Sequence, residues 1–354
     1  MKPPYFSIIL LGYQCAPYLG KALSSIRQQT CDDFECLMIV EESTDNSLAI
    51  CEDMAQQDAR FMAIPLPKSG SASAPGNYGI DHARGRYLVF VDGDDWVEGS
   101  LLEEAQAEIE RHGGDLDILQ YSARVVNEQP DGSLIDGGEI SNFDGTDAGR
   151  MLTGREAIIR CGRSGAIRNH NVLNICRIQF LRENRLHKNA GLILEDFEWT
   201  PRCWYLARRM AFLPRPLYHY RRRPNSVMTE SSPRVLFDLA RQFAHLPAFL
   251  SRHQVIPAVR RIWASQWLSL FIWYFFNPIY DRKFSWHDRR TVRDMLMDGD
   301  SGETLREFIG MAGWPKRVGM RLLLLSRRLG MWLPRLYFRR VYFPLMRLRD
   351  RRQK

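Results

Sequence analysis

The stretch Tyr87 to Trp96 reads YLVFVDGDDW, a run of large apolar residues that stops abruptly at the carboxylates Asp92, Asp94 and Asp95. Acids set so close repel one another. A hard divalent cation that also holds phosphate oxygens is the usual partner that makes such a cluster tolerable. The chemistry this points to is a metal-diphosphate site; the plain alternative is a solvated turn, because Asp and Gly are ordinary turn residues. A second acid pair, Glu195-Asp196, follows the apolar Leu192 to Leu194, at a place where a helix dipole alone would also favour negative charge. A basic run, LYHYRRRPNS from Leu217 to Ser226, adds arginine forks that suit phosphate oxygens.

These groups need a rigid frame. Tyr87 to Val91 has the continuous apolar pattern of a strand covered on both faces, and Gly93 lets the chain turn beyond it. In open α/β sheets ligands bind past the carboxyl ends of the strands, where this turn lies. Upstream, Phe6 to Leu11 is a first strand, and Ala16 to Gln29 a helix with Leu19, Leu23 and Ile26 at helical spacing. Glu35 to Val40 is a second strand that again ends in acids, Glu41-Glu42, before a helix over Leu48 to Gln57 that Asp45 or Ser47 would cap. Arg60 to Pro65 makes a weaker strand. The small residues Gly70 to Asn77 suit close backbone approach by a ligand, and a helix follows over Tyr78 to Arg84. The alternation is that of a doubly wound nucleotide-binding half. Neither GxGxxG nor a Walker A sequence is present, which disfavours dinucleotide binding and P-loop chemistry.

Three stretches in order, FSIILLGYQCAPYLGKALSSIRQQT, IVEESTDNS and SGSASAPGNYGIDHARGRYLVFVDGDDW, resemble the inverting family 2 glycosyltransferases of the GT-A fold. The resemblance spans Tyr5 to Thr229 and implies an α/β fold with a doubly wound, mostly parallel sheet. It implies that Glu41 contacts a uracil-type base, that Asp92 holds the ribose, and that Asp94 holds Mn2+ or Mg2+. Asn77 joins the donor-binding set. On the match to the family's Glu-Asp motif, Asp196 is the general base that takes the acceptor hydroxyl's proton, with Glu195 supporting it. The closing segment gives Arg221 and Ser226 to the diphosphate and His219 to the metal. Two departures bear on the nucleotide more than on the reaction: both acids of the second motif are Glu and its Gly is absent, and Gly76 replaces an arginine common before the asparagine.

Farther along, Leu101 to His112 is a charged helix, Leu116 to Val126 a strand, Gln129 to Arg150 a loop or hairpin insertion, and Gly154 to Cys161 a short helix. Past Pro233 the composition turns aromatic and basic. Ile262 to Tyr280 is uncharged and long enough on paper to span a bilayer, but Ser265, Gln266, Ser269, Asn277 and Pro278 favour a buried or interfacial helix. From Pro315 onward there are thirteen Lys/Arg against the single acid Asp350, so the net charge of +8 resides in the tail and the remainder is acidic. Arginine interleaved with Leu, Trp, Tyr and Phe suits an anionic leaflet; a packed accessory bundle is the alternative.

The expected division is a catalytic domain over 1–230, a helical accessory region over 231–314 and a membrane-associating tail over 315–354. The first two-thirds carries no basic patch of the kind that marks a nucleic-acid binder. Seven cysteines without metal spacing suggest neither a disulfide framework nor a zinc site, and a reducing cytoplasm. The N-terminal apolar run is too short for a leader and serves as the first strand. Together these features imply transfer of a sugar from a nucleotide-diphosphate donor, a UDP-sugar, to a hydroxyl of a saccharide or lipid-linked acceptor. The setting is cell-surface polysaccharide assembly on the inner face of the plasma membrane, with a homo-oligomer left open. Two other readings stand beside it: a sugar nucleotidyltransferase, whose glycine-rich activation loop is not visible, and a membrane scaffold keeping a degenerate transferase domain.

Overall fold

In the first unit, apolar runs covered on both faces become the centre of one sheet. The computed structural model describes residues 2–142, 149–164, 167–223, 232–280, 283–329 and 331–346, and packing divides the chain into units of residues 1–226 and 227–354. β1 (Phe6–Gly12) and β2 (Phe34–Glu41) are buried at every position, and β4 (Tyr87–Asp92) at every position but its last. With β3 (Phe61–Leu66) they lie in the parallel order β3-β2-β1-β4. The order reverses at β1, so the carboxyl ends of β1 and β4 border the switch point at which such sheets bind ligands. α1 (Ala16–Arg27) carries Pro17 in its first turn, where a missing N–H costs nothing, and buries Leu19, Leu23 and Ile26. α2 (Ser47–Gln57) follows β2. Asp45 accepts hydrogen bonds from the N–H groups of Ser47 (3.1 Å) and Ala16 (2.9 Å), pinning the loops after β1 and β2 together.

α3 (Ser73–His82) begins inside the small-residue run, five residues ahead of the start expected from sequence. The run therefore serves mostly as helix rather than loop. Past β4 the sheet turns mixed: β5 (Trp96–Val97), β6 (Ile118–Glu128), β9 (Asn174–Arg177) and β10 (Met210–Arg222) complete the order β4-β9-β6-β10-β5. β9 is antiparallel to both β4 and β6, whereas β10 is parallel to β6. Register shifts in β10 fall around Pro216, where proline lacks the donor the ladder needs. The glycine-rich insertion is a hairpin, with β7 (Leu134–Ile140) antiparallel to β6, and β8 (Met151–Leu152) pairs with β10. α4 (Leu101–Arg111), α5 (Gly154–Ser164), α6 (Ile178–Glu183) and α7 (Asp196–Leu206) complete the unit. A Cβ on Gly154 would lie 1.6 Å from the Trp204 carbonyl oxygen, so only glycine lets α5 start against the end of α7.

The second unit consists of α8 (Arg234–Arg252), α9 (Pro257–Phe276), α10 (Trp286–Leu296), α11 (Gly299–Met311), α12 (Trp314–Leu329) and α13 (Trp332–Tyr337), followed by a π-turn over Phe338–Tyr342. Its core gathers around Phe243, whose ring lies 5.2 Å from those of Trp267 and Phe271 and 6.0 Å from that of Phe308. No helix among the described residues is long and apolar enough to cross a membrane; the apolar residues of α9 go into this core instead. Charge change at Pro315 marks no packing boundary. α12 buries Met320 and Leu323 and packs on α9 and α11, and Phe338 stacks on Phe276 at 4.4 Å. Trp314 (63%) and Trp332 (60%) nevertheless remain largely exposed.

Candidate active site

The acidic turn after β4 is tied to its surroundings residue by residue. The Gly93 N–H donates to the Leu11 carbonyl at 2.8 Å, and a Cβ there would lie 2.8 Å from the Cys15 Sγ. Asp95 is buried. Its carboxylate accepts from the Tyr218 hydroxyl (2.7 Å) and the Arg221 N–H (2.7 Å), while the Tyr218 oxygen accepts from the Asp92 N–H (3.1 Å). Asp95 is thus a clasp between the turn and β10. Burial, with Asp94 and Asp92 adding to it, raises its carboxyl well above the usual range.

The arginines after Tyr220 divide their tasks differently from the sequence expectation. Arg221, expected to hold a diphosphate, is buried between the rings of Tyr18 (4.8 Å) and Trp96 (5.2 Å). It donates to the Asp94 carbonyl at 2.9 Å and lies 3.5 Å from Glu128. Its fork is already engaged, so it props the turn. Arg223 is the arginine at the acids, its Nε donating to Asp94 Oδ2 at 2.9 Å. His219, expected at the metal, instead stacks on Trp96 at 4.7 Å and pairs with Glu98 at 2.7 Å through Nε2. The register of β10 on β5, which sets His219 opposite Trp96, is the reason. Ser226 lies outside the described residues.

Glu41, at the end of β2, is buried and accepts from the N–H of Ser69 at 2.8 Å and from its hydroxyl. Asn77, expected at the donor, has its amide spent on another segment: Nδ2 donates to the Lys188 carbonyl (2.8 Å) and Oδ1 accepts from the Lys188 N–H (2.7 Å). That bond pair fastens the stretch before α7 to α3. Lys188 itself carried no signal in the sequence. Its side chain is fully buried, with Nζ 3.3 Å from Glu195 Oε1 and 3.7 Å from Asp196 Oδ1.

Leu194 adopts φ of 60°, a strained backbone for a residue with a side chain, and so turns the chain into α7 with Glu195 and Asp196 at its N-terminus. Asp196 Oδ2 accepts from the Asn171 N–H at 3.1 Å. Its Oδ1 is buried and has no hydrogen-bond partner among the described residues. Burial raises the Asp196 carboxyl to about 7, with Lys188 lowering it and Glu195 raising it. Asp92 is raised to about 8 by burial, then by Asp94 and Asp196, with Lys188 opposing. The two acid pairs, far apart in the chain, therefore share one electrostatic field.

Among the described residues no three His, Cys, Asp or Glu side chains converge as a metal cage. A magnesium-like cation does not need one, because it commonly takes one or two carboxylates and completes its shell with substrate phosphates and water. Asp94 beside the crowded Asp92 fits that pattern. A cavity of about 700 Å³ lies elsewhere, lined by Asp117, Arg155, Arg177 and Arg208 among others, and holds none of the expected site residues.

Known proteins resemble this chain in sequence and in fold. The chain resembles the uncharacterized glycosyltransferase EpsJ of Bacillus subtilis, 29% identical over 272 residues that cover 73% of each chain. Its fold matches S. aureus TarS 1–349 in complex with UDP-GlcNAc at a TM-score of 0.72 and 19% identity, over 95% of this chain and 91% of that one. A mannosyltransferase from Pyrobaculum calidifontis in complex with GDP-Man and Mn2+ matches at 0.50 and 13% identity, over 94% and 88%. Residues 7–171, which include the sheet's switch point and the acidic turn, match the model of glycosyl transferase family 2. The chain is a glycosyltransferase, and over residues 7–171 it is similar to that family.

Proposed function

We propose that the chain transfers a sugar, with inversion, from a UDP-sugar to a hydroxyl of a saccharide or lipid-linked acceptor in cell-surface polysaccharide assembly. The observation that carries this reading is Asp196 Oδ1, buried and without a hydrogen-bond partner among the described residues, in the field of the Asp92–Asp94 turn. An acceptor hydroxyl would supply the missing donor and lose its proton there. Asp94 would hold Mn2+ or Mg2+, which when bound offsets the charge of the departing diphosphate. Asp92 would bind the ribose and Glu41 the base. Arg223, already at Asp94, is better placed than Arg221 for the phosphates. The UDP-GlcNAc held by TarS and the GDP-Man and Mn2+ held by the mannosyltransferase set the ligands to try. The test is thermal unfolding with UDP, UDP-sugars and GDP-sugars, each with and without Mn2+. Stabilisation by a UDP-sugar that needs the cation is expected; indifference to every nucleotide would remove the reading.

The second unit would seat the enzyme on the inner leaflet through the exposed Trp314 and Trp332 and the basic residues around them. Each Lys/Arg near an anionic surface contributes about 1 kcal/mol and is screened within a Debye length. Trp314→Ser/Trp332→Ser spares the buried Phe338 and Met320, so the unit should stay folded. Its binding to anionic liposomes is expected to fall about tenfold or more, from the apolar area no longer inserted, and wild type should come off partly at high salt. Equal co-sedimentation of both proteins, or no dependence on lipid charge, would take this surface out of membrane binding.

A further inference from the structure

We propose that Lys188 is a positioning residue of this site, its buried ammonium holding Glu195 and Asp196 in working geometry from the space that Gly76 leaves beside it. The inference deepens the reading of Asp196 as the base and rests on it. A fully buried lysine is costly unless paired, and a core position without other duties is served as well by an apolar side chain. Here the amine faces two acids, Glu195 at 3.3 Å and Asp196 at 3.7 Å. Without it, carboxylates from β4 and α7 would repel one another across the site.

The rest of the residue is fixed from several sides. Its backbone is bonded in both directions to the Asn77 amide. Phe90 and Trp199 present their rings to Nζ at 4.7 and 5.5 Å, and Trp199 is held in turn by its Nε1 bond to the Leu186 carbonyl at 2.8 Å. Gly76 completes the seat. A Cβ there would lie 3.4 Å from each of Cδ, Cε and Nζ of Lys188, so any longer side chain at 76 would compete for the ammonium's place. The same proximity means that a cation carried on α3 from position 76 can reach the same acids.

The experiment compares Lys188→Met, Lys188→Ala, Lys188→Ala/Gly76→Lys and Asp196→Asn. Turnover is measured as UDP release from the nucleotide sugar that stabilises wild type, and donor binding as Mn2+-dependent UDP affinity by calorimetry. Misplacing a reacting group by about 1 Å can cost on the order of a hundredfold. Lys188→Met and Lys188→Ala are therefore expected to lose kcat on that scale with UDP affinity essentially unchanged, and Gly76→Lys to recover most of the loss in the Ala background. A folded Lys188→Met with wild-type kcat overturns the proposal, as does a loss of UDP affinity in the same proportion as kcat. If the single variants do not fold, a folded double variant without turnover overturns it equally. Asp196→Asn separates the two claims: an inactive Asp196→Asn beside a normal Lys188→Met sinks only the role of Lys188, whereas an active Asp196→Asn sinks the base and this inference with it.

Discussion

Replacing Asp196 by Asn is expected to leave Mn2+-dependent UDP binding near wild type while turnover falls by on the order of a hundredfold or more, the usual worth of a general base. Asn keeps the shape and can still accept from the Asn171 N–H, but it cannot take a proton at the position of Oδ1. The pH dependence offers a second check. Burial raises this carboxyl to about 7, and a base works only when deprotonated, so wild-type turnover should climb through neutrality and level off above it. The apparent value belongs to the coupled acids together. The raised value also fixes the sign of the effect on stability. A carboxyl that titrates higher in the folded state than in the unfolded chain contributes stability below the unfolded value, and that contribution is lost as pH rises through about 7. Asp196→Asn should therefore gain in melting temperature relative to wild type between pH 5 and pH 8. Normal turnover in this variant would exclude Asp196 from the mechanism.

Asp94→Asn is expected to abolish the Mn2+-dependent part of UDP affinity, because a neutral amide cannot balance a divalent cation as a carboxylate does. The variant also releases Arg223, whose Nε now donates to Asp94 Oδ2, and a freed guanidinium can still attract a diphosphate. A residual, metal-independent affinity for UDP should accordingly persist. Calorimetry of UDP with and without Mn2+ on wild type and variant distinguishes the two components, and unchanged Mn2+-dependent affinity would falsify the assignment of Asp94 as metal ligand.

The first half of the sheet was legible because β1, β2 and β4 are covered on both faces and leave continuous apolar runs, each ending where the chain must turn. The second half was harder to read. β9 is four residues long and β5 two, too short to show a period, and their antiparallel pairing depends on partners far along the chain. α3 was started late because its first turn holds Pro75 and Gly76, poor helix formers that packing overrides. The surroundings of His219 and Arg221 were not legible for a related reason: sequence supplies their chemistry but not which face of β10 meets Trp96, a matter of register. Lys188 was missed outright. It sits in an aperiodic stretch, and what makes it unusual is complete burial beside acids contributed by α7 and β4.

The clasp at Asp95 has a consequence for how the molecule comes into being. Its acceptor oxygens are satisfied by Tyr218 and Arg221, which lie 123 and 126 residues later. A chain emerging from the ribosome thus exposes the acidic turn long before the groups that close it exist, and contacts of such long range are slow to form. Until β10 arrives, β4 ends in a carboxylate that prefers water to the interior, and β6 has an unpaired edge. The nascent domain should therefore stay open and dependent on protection from aggregation until about residue 222 has been made, then close in a late, cooperative step.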